Sequence, residues 1–274
     1  MYWIKDHVER VRGLVQNGTE ASLTYAALEC RLALERVCYD RLRVSHAYIS
    51  PEDIGRWQPR DVVNRLIQDV DPHVASSFTI SIAKTPAGSV PEEDEEYVEI
   101  GRQAGFDAKR LGRIWNALSN FLHVQMPKVG DVEVKPFGGR EKLKRKIDEA
   151  LEILEEIQLG TLISSGMGEV VKFTCGCGAE NKRRACLLKE GQTVSCINPK
   201  CREKWAVHLE GDAIGFQRKS IALVCLSCRA ESKFSEDWIL DIRSNQQFQL
   251  DCECGASTRF AWRLMHFVPA EGGS

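Results

Sequence analysis

Apolar residues recur at helical spacing up to about residue 160 and at strand spacing after it. From Thr19, the positions Leu23, Ala27, Cys30, Leu34, Val37 and Tyr39 to Leu42 return near every 3.6 residues without Gly or Pro, predicting a long amphipathic helix over roughly 19–45. A shorter helix over about 2–15 precedes it and ends at Asn17-Gly18. Ser50-Pro51-Glu52-Asp53 has the form of an N-cap followed by Pro at the first helical position. A further helix runs from Pro59 to Val70, with Val62, Val63, Leu66 and Ile67 inward. Asp107 caps the next, which carries Leu111, Trp115, Leu118 and Leu122 to about Val124 before Pro127 stops it. The last, over about 140–158, presents Leu143, Ile147, Leu151 and Leu154. Between these helices, Phe78-Thr-Ile-Ser-Ile alternates as a short strand or extended segment. Pro91 to Glu96 is a solvated acidic loop, and Val132, Val134 and Gly138-Gly139 have hairpin character.

Beyond Gly160 to Gly168, rich in Gly and Ser, the period changes. Thr193-Val-Ser, Trp205-Ala-Val-His-Leu, Phe248-Gln-Leu and Phe260-Ala-Trp alternate as short strands. The expected class is therefore α+β and multidomain: an all-α bundle at 1–160, a linker at 161–169, and two small β-rich modules at 170–212 and 213–268.

The chain has 274 residues and 11 cysteines, eight of them in four close pairs within the β-rich part. They are Cys175/Cys177, Cys196/Cys201, Cys225/Cys228 and Cys252/Cys254. Two sulfurs from one tight turn, joined by two more about twenty residues later, make a four-thiolate metal site. Eighteen residues separate Cys177 from Cys196 and 23 separate Cys228 from Cys252, which fits two zinc ribbons in tandem with two zinc ions. Cys196/Cys201 with Cys225/Cys228 has an equal gap of 23 residues, so a nested pairing stays open, and a four-sulfur site also suits iron. No position in either set is left for water, so the sites are structural. Cys186 reads as a buried thiol, or as a substitute for a neighbouring ligand, and Cys30 and Cys38 as small apolar side chains of the bundle.

The first residues, Met1-Tyr-Trp-Ile-Lys-Asp-His, show no signal-peptide pattern, and no apolar run reaches bilayer-spanning length. A cytoplasmic, reducing location follows, where paired cysteines bind metal rather than form disulfides. The net charge is only −2, but Glu169 to Trp205 holds eight Lys or Arg against four Glu. Lys182, Arg183, Arg184, Lys200, Arg202 and Lys204, with Trp205 and Phe173, form a set that could track a phosphate backbone and stack a base. The plainer alternative makes the charges a solvated face and Trp205 a core residue.

Lys109, Arg113, Asn116, Asn120 and His123 fall at spacings of 4, 3, 4 and 3, and so line one helix face. Any amphipathic helix has such a polar face, but Asn120 and His123 at its end could also act in a cleft, with His as general acid or base. Together with Ala27-Leu-Glu-Cys-Arg-Leu-Ala-Leu-Glu35-Arg-Val, the segment Trp115-Asn-Ala-Leu-Ser-Asn120-Phe-Leu-His123 resembles the helical bundle of the HEPN superfamily. The resemblance implies a metal-independent ribonuclease with His123 and Asn120 catalytic, a homodimer, and a prokaryotic setting in antiviral defence or toxin–antitoxin biology. Active members also place an Arg shortly before the His. Here Leu118, Ala117 and Asn116 hold those positions. The nearest Arg, Arg113, lies about 15 Å back along the helix, so catalysis would need an Arg from another segment or protomer.

Two functions follow from these residues. One is a zinc-binding, nucleic-acid-interacting protein, with RNA or DNA as partner. The other is a non-catalytic adaptor that dimerises through the bundle and holds a protein partner through the ribbons. Neither involves a membrane.

Overall fold

A computed structural model describes residues 2–84, 96–123, 139–243 and 246–261. The acidic stretch at 91–95 and the hairpin expected around Val132 and Val134 lie outside those residues. Two compact units divide the chain: Met1–Val171 with Lys182–Leu187, and Lys172–Asn181 with Leu188–Ser274.

Unit 1 is helical. Its elements are α1 (Tyr2–Asn17), α2 (Glu20–Ser45), α3 (Pro51–Ile54), α4 (Pro59–Asp69), α5 (Ala108–Phe121) and α6 (Arg140–Ile157). The caps fall where side-chain chemistry places them. Thr19 accepts from the Ser22 amide, Ser50 from that of Glu52, and Asp107 from those of Lys109 and Arg110. α2 packs against α1, α4, α5 and α6. It can do so because Ala26, Ala27, Cys30, Ala33 and Cys38 are small and fully buried, which lets neighbouring helices approach closely. Leu23, Leu34, Leu66, Leu111, Leu118, Ile147 and Leu154 complete the core.

Unit 1 also holds an antiparallel ribbon, β1 (Phe78–Ala83) on β2 (Tyr97–Gln103), with a register shift between Ile80 and Ser81. Alternation marks β1 in the sequence; β2 is not legible there. From β2, Gln103 is fully buried and organises a polar knot. Its Oε1 accepts from the guanidinium of Arg41 and from the Ser164 amide, and its Nε2 donates to the carbonyls of Val74 and Ser76. Arg41 is 1 % exposed and also donates to the Ala104 carbonyl at 2.7 Å.

The expected linker is an ordered strap of unit 1. The amides of Thr161 and Leu162 donate to the Arg102 carbonyl, and the Arg102 amide returns a bond to the Thr161 hydroxyl. Arg184 then closes it, donating to the carbonyls of Ser165, Gly166 and Gly168 while lying over the Tyr48 ring at 4.6 Å. A Gly/Ser-rich composition leaves the backbone free to move, but these donors give it a single course.

Unit 2 is built of hairpins. β3 (Val170–Thr174) pairs with β4 (Glu180–Arg184), across both of which the division of the chain runs. β5 (Thr193–Ser195), β6 (Lys204–Glu210) and β7 (Ala213–Arg218) form one antiparallel sheet. β8 (Ser220–Val224) pairs with β9 (Glu231–Ser235), the short α7 (Glu236–Leu240) follows, and β10 (Gln247–Asp251) pairs with β11 (Ser257–Ala261). The boundary expected at residue 212 moves to about 219, because β7 completes the first sheet. Among the described residues, Val194, Val207 and Ile239 are the buried apolar side chains of unit 2 besides the ligand-type cysteines. No described helix is long and apolar enough to cross a membrane.

Candidate metal centres

Each cysteine pair sits in the turn between two paired strands: β3/β4, β5/β6, β8/β9 and β10/β11. The turns meet in sequential order. Cys175, Cys177, Cys196 and Cys201 gather in one group and Cys225, Cys228, Cys252 and Cys254 in the other, all sulfurs of a group within 4.8 Å of one another. The nested pairing is thereby set aside. Sulfur separations are 3.7 Å for Cys175–Cys201 and for Cys177–Cys196, 3.8 Å for Cys225–Cys254 and 3.6 Å for Cys228–Cys252. A tetrahedron with metal–sulfur bonds of about 2.3 Å has edges of about 3.8 Å, so both groups are compatible with a metal ion.

Two of the four turns are copies in structure as in sequence. In Cys175-Gly-Cys177-Gly178-Ala179 the amide of Gly178 bonds the Cys175 carbonyl at 2.8 Å, and that of Cys175 bonds the Ala179 carbonyl at 3.0 Å. Cys252-Glu-Cys254-Gly255-Ala256 repeats both bonds at 2.8 Å. Gly178 and Gly255 share a φ of +85°, with nothing within 4 Å of where a Cβ would stand. Gly178→Ala and Gly255→Ala should therefore each cost about 1–2 kcal/mol through backbone strain alone, measured by zinc-loaded thermal unfolding. Gly176→Ala, at an ordinary φ and with equal room, should be neutral.

Backbone amides aim at the sulfurs and set their charge. The Cys177 thiol is drawn down to about 7, chiefly by the Ala179 amide, and Cys225 down to about 6 by the amides of Cys228 and Ser227. Burial, together with the neighbouring thiols, pushes Cys196 and Cys201 up. A cation is thus what allows four thiolates to share one site.

Two asparagines escaped the sequence reading because nothing in their spacing marks them. Asn181 is fully buried and reaches both turns of the first site. Its Nδ2 donates to the Ala179 carbonyl and lies 3.9 Å from the Cys196 sulfur, while its Oδ1 accepts from the Ile197 amide. Asn198 Nδ2 stands 3.7 Å from the Cys177 sulfur. Such donors orient ligands and spread thiolate charge.

The basic set disperses. Arg183 is 3 % exposed, with Asp53 of unit 1 at 3.8 Å, and Arg184 is 5 % exposed on the strap. Neither guanidinium is presented to a phosphate backbone. Arg202 pairs with Asp241 at 2.6 Å and Lys204 with Asp237 at 2.5 Å, which ties the first module to α7. Lys182 is half-buried, and Lys200 is exposed. Trp205 belongs to the first module's aromatic core, 5.2 Å from Phe173, which in turn stacks on Phe216 at 4.2 Å. Cys186, expected to be buried, is exposed on a 3-10 turn at Ala185–Leu187 and joins neither sulfur group.

Lys109, Arg113, Asn116 and Asn120 are exposed on α5, which ends at Phe121, so His123 lies two residues beyond the helix, also exposed. Trp115 turns inward to donate to Glu35 at 2.9 Å under the Arg31 guanidinium. Comparison with protein-family models, with curated proteins and with solved structures gives no match.

Proposed function

We propose that this is a zinc protein in which tandem zinc ribbons, joined to a HEPN-like helical unit, engage nucleic acid. The observation that carries it is the pair of four-sulfur groups, each with all sulfurs within 4.8 Å and two separations of 3.6–3.8 Å. Zinc suits four thiolates in a closed, redox-silent site that leaves no position for water, so the metal has a folding role and the ribbon surface has the binding role. In this reading the helical unit is a binding or dimerisation module. Asn120 is exposed on the last turn of α5, His123 is exposed just past its end, and the positions just before them hold no Arg.

The zinc-loaded protein should bind mixed single-stranded oligonucleotides with an affinity that falls steeply as salt rises, because released counterions drive phosphate binding. Cleavage of end-labelled RNA by the wild type but not by His123→Ala would instead make the helical unit a ribonuclease.

The adaptor reading has its own support. Tyr25, Leu28 and Leu32 form an uncovered apolar strip on α2, 61 %, 38 % and 43 % exposed, and two Arg expected at the surface are buried. Absence of any oligonucleotide binding at about 50 mM salt would favour it.

A further inference from the structure

A groove of about 540 Å³ opens between the two modules of unit 2, beside the first sulfur group. Its walls include Lys200, Arg202, Arg218, Lys233, Phe234 and Trp238. Two of the four cations are already engaged: Arg202 with Asp241, and Arg218 in a two-pronged pair with Glu203 at 2.5 and 2.6 Å. Lys200 and Lys233 have no ion pair among the described residues. They are the charges left for an anionic ligand.

The same groove holds a flat apolar surface. Trp238 stacks on Phe234 at 5.3 Å and meets the edge of Phe248 at 5.0 Å, yet stays 41 % exposed. Its neighbour on α7, Ile239, is buried instead, at 6 % exposure. A part-exposed tryptophan stacked on a second ring, in a groove that also holds lysines without an ion pair, matches what an unstacked base and its phosphates require. An acidic peptide would use the lysines but has no need of the ring.

We propose that this groove binds single-stranded nucleic acid, with one unpaired base on Trp238 and flanking phosphates on Lys200 and Lys233. The proposal rests on the nucleic-acid reading above and replaces the β4 arginines with a different surface.

The test uses the full zinc-loaded chain and a fluorescein-labelled mixed single strand, followed by anisotropy across a salt series. Zinc content serves as the check on folding. Trp238→Leu should weaken binding about tenfold or more, while Trp238→Phe, which keeps a ring on Phe234, stays close to wild type. Lys200→Gln with Lys233→Gln should lower the slope of log affinity against log salt by about 1.4, the share of two phosphates on a single strand. Wild-type binding with all three variants unchanged and zinc intact would place the site elsewhere and leave the nucleic-acid reading standing. No wild-type binding would end both. A poly-glutamate peptide that displaces the strand as well as unlabelled oligonucleotide does would overturn base stacking as the basis of recognition.

Discussion

Stripping the metal from the purified protein should melt both modules of unit 2 and leave the helices of unit 1 folded. The reason is the inequality of the two cores. Unit 1 buries a continuous set running from Ile4 to Ile157, whereas the described part of unit 2 buries Val194, Val207 and Ile239 besides its cysteines. Full burial of one such side chain contributes about 1.5–3 kcal/mol, far below the ordering cost of the segments that carry it. Metal binding to a small cysteine-rich unit contributes about 10–16 kcal/mol and is in effect its folding free energy. Chelation should therefore abolish amide protection in β6 and β10 and leave that of α2 unchanged. Cys225→Ser should do the same to the second module alone, with loss of one metal ion per chain. Strand amides still protected after complete metal removal would contradict this.

The second large effect lies in unit 1. Gln103→Leu should destabilise the helical unit by about 3 kcal/mol, which lowers its melting midpoint by about 6–12 °C. Burial pulls the Arg41 pKa down to about 10, so the group is still charged at neutral pH. Gln103 and the Ala104 carbonyl accept from its guanidinium, and Gln103 also holds the Val74 and Ser76 carbonyls and the strap amide of Ser164. Removing the amide leaves a buried charge short of an acceptor, the most costly kind of unsatisfied group. Arg41→Met removes that charge, so the double variant should recover part of the loss. A helical melt within about 0.5 kcal/mol of wild type would show that the knot contributes little.

Local chemistry was legible in the sequence wherever its partners lie close along the chain. The caps at Ser50 and Asp107 need only the next three residues, and each forms as the sequence implies. The cysteine turns are equally local, and their spacing sufficed for two four-sulfur groups, although choosing between sequential and nested pairing needed the fold. Charges are different, because an arginine's fate depends on groups far away in sequence. Lys182 to Lys204 looks like one basic surface, yet Arg183 meets Asp53, Arg184 meets the strap, Lys204 meets Asp237 of α7, and Arg202 meets Asp241 just past its end. Tyr97–Gln103 hid as a strand because it follows an acidic run and carries Gly101 where alternation should continue. Trp205 and Trp238 look alike as isolated aromatics. Only packing separates the one set in the first module's core from the one left 41 % exposed.

The two four-sulfur groups assemble in sequential order, and each is proposed to hold one zinc ion. X-ray absorption at the zinc edge on the purified full chain, with metal quantified in the same sample, tests that most directly. The expected result is two zinc ions per chain, each surrounded by four sulfurs at about 2.3 Å, falling to one such ion in Cys225→Ser. Nitrogen or oxygen in the first coordination sphere, or a single ion in the wild type, would contradict it.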